Sequence, residues 1–112
     1  MSPRDLVYVG HMFDMARKAV GKTAGLSREG YDGDENLRLA LIHLVQVIGE
    51  AARQVSREFC EAHPEIPWAD IIGMRHKVVH DYLGVDEDIV WQVVTHDLPM
   101  LVGLLEPLVS PV

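Results

Sequence analysis

The segment Arg75-His76-Lys77-Val78-Val79-His80-Asp81-Tyr82 holds two histidines, an arginine and a lysine within six positions. Arginine offers a planar fork of donors that fits phosphate oxygens, and histidine exchanges protons near neutral pH. Metal-free RNA cleavage needs both tools. A base activates the 2′-hydroxyl, an acid protonates the leaving oxygen, and a cation stabilises the charged phosphorane-like state. Two other readings compete. The segment could be a solvated basic turn on a protein surface. Alternatively, His76 and His80, spaced i, i+4, could hold zinc, with Asp81 as a third ligand. No glutamate follows His76 to complete a His-Glu-x-x-His pattern, and the adjacent arginine and lysine oppose a bound cation.

The elements that must position these side chains read as four helical segments. The first spans residues 5–22, with Leu6, Val9, Phe13, Ala16 and Val20 at three- and four-residue spacing. Residues 30–34, Gly-Tyr-Asp-Gly-Asp, read as a loop. The second spans 35–61 behind Asp34 as N-cap, and Leu37, Leu41, Leu44, Ile48, Ala52, Val55 and Phe59 form its stripe. Leu39, Ala40, Ile42, Val45 and Val47 lie off that stripe. A helix apolar on more than one side is buried on more than one side, and in a domain this small the second side would meet another subunit. Pro64 and Pro67 end that helix. The third segment spans 68–82 and carries the basic cluster. On a straight helix Arg75 and His80 stand about 140° apart, so they would converge on one phosphate only through a reaching Arg side chain, a distorted helix end or a second chain. The fourth begins at Asp86 as N-cap, and Pro99 should kink or split it near Asp97. With no strand signal, the chain reads as an all-α, antiparallel bundle of four or five helices in one domain, residues 1–112.

Composition narrows the function classes. The chain has 112 residues, 48% of them apolar, and a net charge of −7, too apolar for a disordered protein and too acidic for one that coats nucleic acid nonspecifically. Every Lys and Arg lies between Arg4 and Lys77, whereas Asp81, Asp86, Glu87, Asp88, Asp97 and Glu106 follow without a base among them. The single cysteine, Cys60, excludes an intramolecular disulfide and a four-cysteine zinc site, so a reduced, cytoplasmic setting is expected. The first residues show no apolar run behind a basic start, and no stretch is long and apolar enough for a bilayer, so neither leader nor membrane span is expected.

Arg75-x4-His80-x-Tyr82 resembles the Arg-x4-His-x-Tyr signature of the HepT-like branch of the HEPN superfamily. Further blocks are similar in the same order: Val47-Ile48-Gly49-Glu50-Ala51-Ala52, His63-Pro64-Glu65-Ile66-Pro67-Trp68, Ile71-Ile72-Gly73-Met74-Arg75 and Asp97-Leu98-Pro99. The resemblance implies a homodimeric HEPN bundle acting as a metal-independent endoribonuclease toxin of a type VII toxin–antitoxin system, with no cofactor. Cleavage would proceed through a 2′,3′-cyclic phosphate in a cleft built at the dimer interface from two copies of the motif. By position, Arg75 would contact the scissile phosphate and His80 would be the acid–base residue. His76 occupies a position that is polar in the superfamily, more often asparagine in this branch, and would add an acid–base group or a hydrogen bond. Tyr82 would receive AMP from an MNT-type nucleotidyltransferase antitoxin, and the adduct would put negative charge beside Arg75 and His80 and block RNA. Glu50 would orient a histidine or arginine in the cleft, with Lys77 in support. Without the resemblance, Glu50 reads as part of an exposed polar stripe with His43, Gln46, Arg53 and Arg57. The alternative function is a non-catalytic HEPN module that binds a nucleotide or RNA, or engages the nucleotidyltransferase.

Other reactive side chains read as structural. His43 reads as a hydrogen-bonded interface histidine, and His11, His63 and His96 as loop or surface residues. Trp68 and Trp91 read as core or interface anchors, not base-stacking platforms. Cys60 has no base beside it to make it a nucleophile, and Met12, Met15, Met74 and Met100 read as packing.

Overall fold

Helix α1 (Pro3–Thr23) begins where its chemistry favours a start: the Ser2 hydroxyl accepts from the Arg4 N–H, Pro3 occupies the first turn and Asp5 follows. In the computed structural model, which describes residues 2–80 and 84–109, the buried face of α1 is Asp5, Val9, Met12, Ala16, Ala19 and Thr23. Leu6, expected inside, is 41% exposed, and Phe13 and Val20 are half-buried, so the true stripe is rotated towards Met12 and Ala19.

Residues 30–32, the first part of the expected loop, belong instead to the short helix α2 (Arg28–Asp32). Ser27 caps it, and Tyr31 is driven fully into the core. The glycines at its borders suggested a turn, but burial of one large aromatic outweighs their weak helix propensity. Asp34 then caps α3 (Glu35–Gln54), whose side chain accepts from the Leu37 N–H.

The expected helix over 35–61 is two helices. α3 stops at Gln54, Val55 is extended, and Ser56 caps α4 (Arg57–Ala62). The break is stabilised from α1. The Ser56 N–H donates to Asp5 Oδ1 at 2.8 Å, and its hydroxyl donates to Oδ2 at 2.7 Å. The core stripe of α3 is as expected from Leu41 to Ala52, with Val55 and Phe59 also buried beyond it. The off-stripe residues divide. Val45 is fully buried within the single chain, Val47 is half-buried, and Leu39 is 60% exposed.

The expected helix over 68–82 is also interrupted. α5 (Trp68–Ile72) closes with the Gly73 N–H donating to the Ala69 carbonyl, and α6 (Met74–Val78) follows. Two successive β-branched residues, Val78 and Val79, favour extended backbone. Val79 has φ −118° and ψ 117°, so α6 ends there. Strand β1 (Val79–His80) pairs antiparallel with β2 (Gly84–Val85), Val79 opposite Val85 and His80 opposite Gly84. This short strand pair went unsignalled in the sequence. Asp86 then caps α7 (Glu87–Gln92), as expected. The disruption expected from Pro99 takes the form of a π turn over Val93–Asp97, closed by the Leu98 N–H on the Val93 carbonyl, before α8 (Leu98–Val109). The wider turn lies one step ahead of the residue that lacks an N–H and crowds the preceding carbonyls.

The architecture is all-α apart from that four-residue ladder, with α1 packed against both α3 and α8. No described helix is long and apolar enough to cross a membrane.

The Asp5 carboxyl is nearly buried, and hydrogen bonds from the Ser56 N–H and then the Ser56 hydroxyl hold its pKa below the ordinary value of 3.8. Asp5 therefore contributes its full stabilisation above that value and loses it as the pH falls towards the lower folded one. Asp5→Asn should lower the melting temperature at pH 7 and make stability less steeply dependent on pH below about 4. Equal melting temperatures for the two proteins at pH 7 would contradict this role.

Candidate functional site

The placement of α6 begins on α3. A Cβ at Gly49 would stand 3.1 Å from the Ile71 carbonyl oxygen and 3.5 Å from that of Ile72. Glycine lets the end of α5 lie this close to α3 without the few-tenths-of-an-ångström shift a Cβ would impose. Ile71, Met74 and Val78 then bury themselves in the core and fix the orientation of α6. With Met74 and Val78 inside, Arg75, His76 and Lys77 are all exposed. Three basic side chains lie in the last turn of this short helix.

His80 lies past the end of α6, in β1. The separation of about 140° calculated for one straight helix does not apply, because the backbone between Arg75 and His80 turns from helical to extended. The same change removes the helical i, i+4 geometry on which the zinc reading of His76 and His80 depended. The His80 side chain lies outside the described structure, as do Asp81 and Tyr82, the expected third zinc ligand and modification site. Among the described residues no group of three His, Cys, Asp or Glu side chains is placed to hold a metal ion.

The two supporting candidates line separate grooves, and neither groove is lined by Arg75 or His76. Glu50 is exposed on α3 and lines a groove of about 580 Å³ between α1 and α3, with Tyr8, His11, His43, Gln46 and Gln54. Among the described residues no ion pair joins Glu50 to Arg75. Lys77 lines a second groove, about 400 Å³, between α5–α6 and the start of α8, with Asp70, Asp97, Met74 and Met100.

The remaining reactive residues fall where their chemistry is quiet. Burial raises the Cys60 thiol pKa, which disfavours the nucleophilic thiolate. Trp68 is half-buried, donates its indole N–H to the His63 carbonyl and meets Phe59 edge-on. Trp91 packs against Tyr31 with ring centroids 5.2 Å apart. His43 is exposed in this single chain, like His11 and His96, whereas His63 is half-buried and stacked on Phe59.

The contacts on the far side of the strand pair carry no local signal in the sequence. Directly after β2 and Asp86, Glu87 accepts from the Tyr31 hydroxyl at 2.9 Å and pairs with Arg38 Nε at 2.8 Å. Asp88 pairs with Arg28 at 2.8 Å. The residues involved lie some fifty positions apart, with no periodicity to link them.

Comparison with known proteins agrees with this frame. Residues 12–108 match the family described as Ribonuclease HepT-like. A protein of Caldanaerobacter subterraneus named "Putative RNase" is 33% identical over 94 residues, 84% of each chain. The "Probable ribonuclease HepT" of Thermococcus cleftensis is 40% identical over 75 residues, 67% of this chain and 68% of that one. A "Putative RNase" of Methanocaldococcus jannaschii is 28% identical over 102 residues, 90% of this chain and 94% of its own. No solved structure matches the chain. With the match covering nearly its whole length, and with an all-α frame that sets Arg75 on the surface just ahead of His80, the chain belongs to the HepT-like ribonuclease family.

Proposed function

We propose that this chain is a metal-independent endoribonuclease and the toxin of a type VII toxin–antitoxin pair. The observation that carries the reading is the exposed Arg75 on a rigidly seated α6, five positions before His80, in a chain of the HepT-like ribonuclease family. Arg75 binds the non-bridging oxygens of the scissile phosphate and stabilises the extra charge of the pentacoordinate state. A histidine takes the proton of the 2′-hydroxyl, and the 2′-oxygen attacks phosphorus. The bond to the 5′-oxygen breaks, and a protonated histidine returns a proton to that leaving oxygen. The products are a 2′,3′-cyclic phosphate and a 5′-hydroxyl. A single histidine cannot be base and acid in the same step, so the reaction draws on His80 with His76, or on His80 from two chains.

A second copy is part of the proposal. Leu39, Val47 and His43 remain at the surface of α3, and Leu6 and Val7 at the surface of α1, the latter 67% exposed. Pairing two chains would cover apolar surface and bring two basic α6 turns to one cleft. That concentrates cationic charge in a body whose net charge is −7.

The proposed regulator is an MNT-type nucleotidyltransferase that transfers AMP to Tyr82. A phosphodiester there competes with RNA phosphate for Arg75 and repels the RNA backbone.

Arg75→Ala and His80→Ala should each lower RNA cleavage in EDTA by at least about a hundredfold, the scale of a lost charge stabiliser or acid–base group. Persistence of wild-type cleavage in His80→Ala would refute the mechanism. Expression of the intact wild type without growth arrest would favour the non-catalytic module. Incubation with the nucleotidyltransferase and ATP should add one or more AMP masses to the peptide containing Tyr82. Full modification of Tyr82→Phe would reject that site.

A further inference from the structure

The strand pair that carries His80 is too small to hold its own position. It comprises two residues on each side, and an isolated two-stranded pair is marginal even at greater length. Its place is therefore set by its flanks. The upstream flank is α6, seated by Met74 and Val78. The downstream flank is the first turn of α7. It is joined to the strands by the Asp86 N–H, which donates to the Val78 carbonyl at 2.8 Å, and by the Asp86 side chain, which caps the helix.

What holds that first turn is Glu87. Its two carboxylate oxygens are taken by different elements: Oε1 accepts from the Tyr31 hydroxyl of α2 at 2.9 Å, and Oε2 pairs with Arg38 Nε of α3 at 2.8 Å. Both partners are themselves fixed. Tyr31 is fully buried against Trp91, and Arg38 also donates to the main-chain carbonyls of Tyr31 and Asp32. Glu87 and Arg38 are both substantially shielded, with side chains 32% and 23% exposed. The contact is therefore better defined than an open surface ion pair. Arg28 adds a more exposed pair to Asp88 one residue on.

We propose that Tyr31, Arg38 and Glu87 form a positioning clamp for the strand pair that carries His80, fixing the backbone of His80 relative to Arg75. The inference rests on the ribonuclease reading in assigning His80 its chemistry. The clamp itself acts on the strands whether or not RNA is cut. None of the three side chains needs to touch RNA. Their effect is on how often the acid–base residue is in register with the phosphate, a term to which catalysis is steeply sensitive. The loss should appear in kcat and leave KM for RNA nearly unchanged.

Two measurements on the full chain test this, amide hydrogen exchange and steady-state RNA cleavage, with Glu87→Ala and Tyr31→Phe as parallel variants in case one folds poorly. In both, the amides of the hydrogen-bonded ladder positions, Asp86 on the Val78 carbonyl and His80 opposite Gly84, should exchange at least about tenfold faster, while those of Val45 and Ile48 in α3 keep their wild-type rates. The kcat should fall between about tenfold and a hundredfold with KM within about twofold. Glu87→Gln keeps an acceptor for the Tyr31 hydroxyl and should give a kcat between those of wild type and Glu87→Ala. Strand amides that exchange at the wild-type rate, or exchange that rises equally throughout the chain, would overturn the clamp. So would an active enzyme whose kcat does not change. If the wild type cuts no RNA, the ribonuclease reading fails separately, and the exchange rates still decide whether the clamp holds the strands.

Discussion

The approach of α5 to Gly49 is the constraint on which the rest of the arrangement depends. A Cβ at that position would stand 3.1 Å from the Ile71 carbonyl oxygen and push it back by a few tenths of an ångström, so a bare backbone lets α5 end directly against α3. From there the chain has little freedom. Gly73 closes α5, Met74 and Val78 bury, and the three basic residues between them stay exposed, Lys77 along the groove towards α8. The exposed cationic turn is a by-product of core packing: two apolar anchors four residues apart leave Arg75, His76 and Lys77 on the outside. Any change that lifted α5 from α3 would move the whole basic turn.

The same logic continues past α6. Val78 and Val79 end the helix, and the chain enters a ladder too short to be stable alone. Its support comes from elements far away in sequence: α2 through Tyr31, α3 through Arg38, and the cap at Asp86. This also changes the meaning of the charge asymmetry. The segment after Lys77 has no Lys or Arg, yet Glu87 and Asp88 are already neutralised by Arg38 and Arg28, and Asp86 serves as a cap. Of the acidic residues described there, Asp88, Asp97 and Glu106 are exposed, Asp88 in its pair with Arg28.

Periodicity made the long elements legible. The α3 stripe from Leu41 to Ala52 and the caps at Asp34 and Asp86 follow from local rules, because an amphipathic face and a capping side chain act within one or two turns. The motif at Arg75, His80 and Tyr82 was legible as residue types at fixed spacing. Its geometry was not. A periodic reading continues a helix until a strong breaker appears, and Gly73 with two valines is a weak one. The turn at Ser56 was hidden because its stabiliser, Asp5, is fifty-one residues away. Tyr31 was hidden for the same reason: flanking glycines spell a loop locally, and only the core it enters makes a helix of it.

In the proposed reaction the basic turn of α6 and His80 cleave RNA by internal attack of the 2′-oxygen, with side chains supplying the charge and the protons. The most direct measurement is the chemical identity of the RNA ends formed by purified wild-type protein in excess EDTA, read by mass spectrometry. The account predicts fragments ending in a 2′,3′-cyclic phosphate and beginning with a 5′-hydroxyl, at a rate unaffected by the chelator. Fragments with 3′-hydroxyl and 5′-phosphate ends, or cleavage abolished by EDTA, would contradict it.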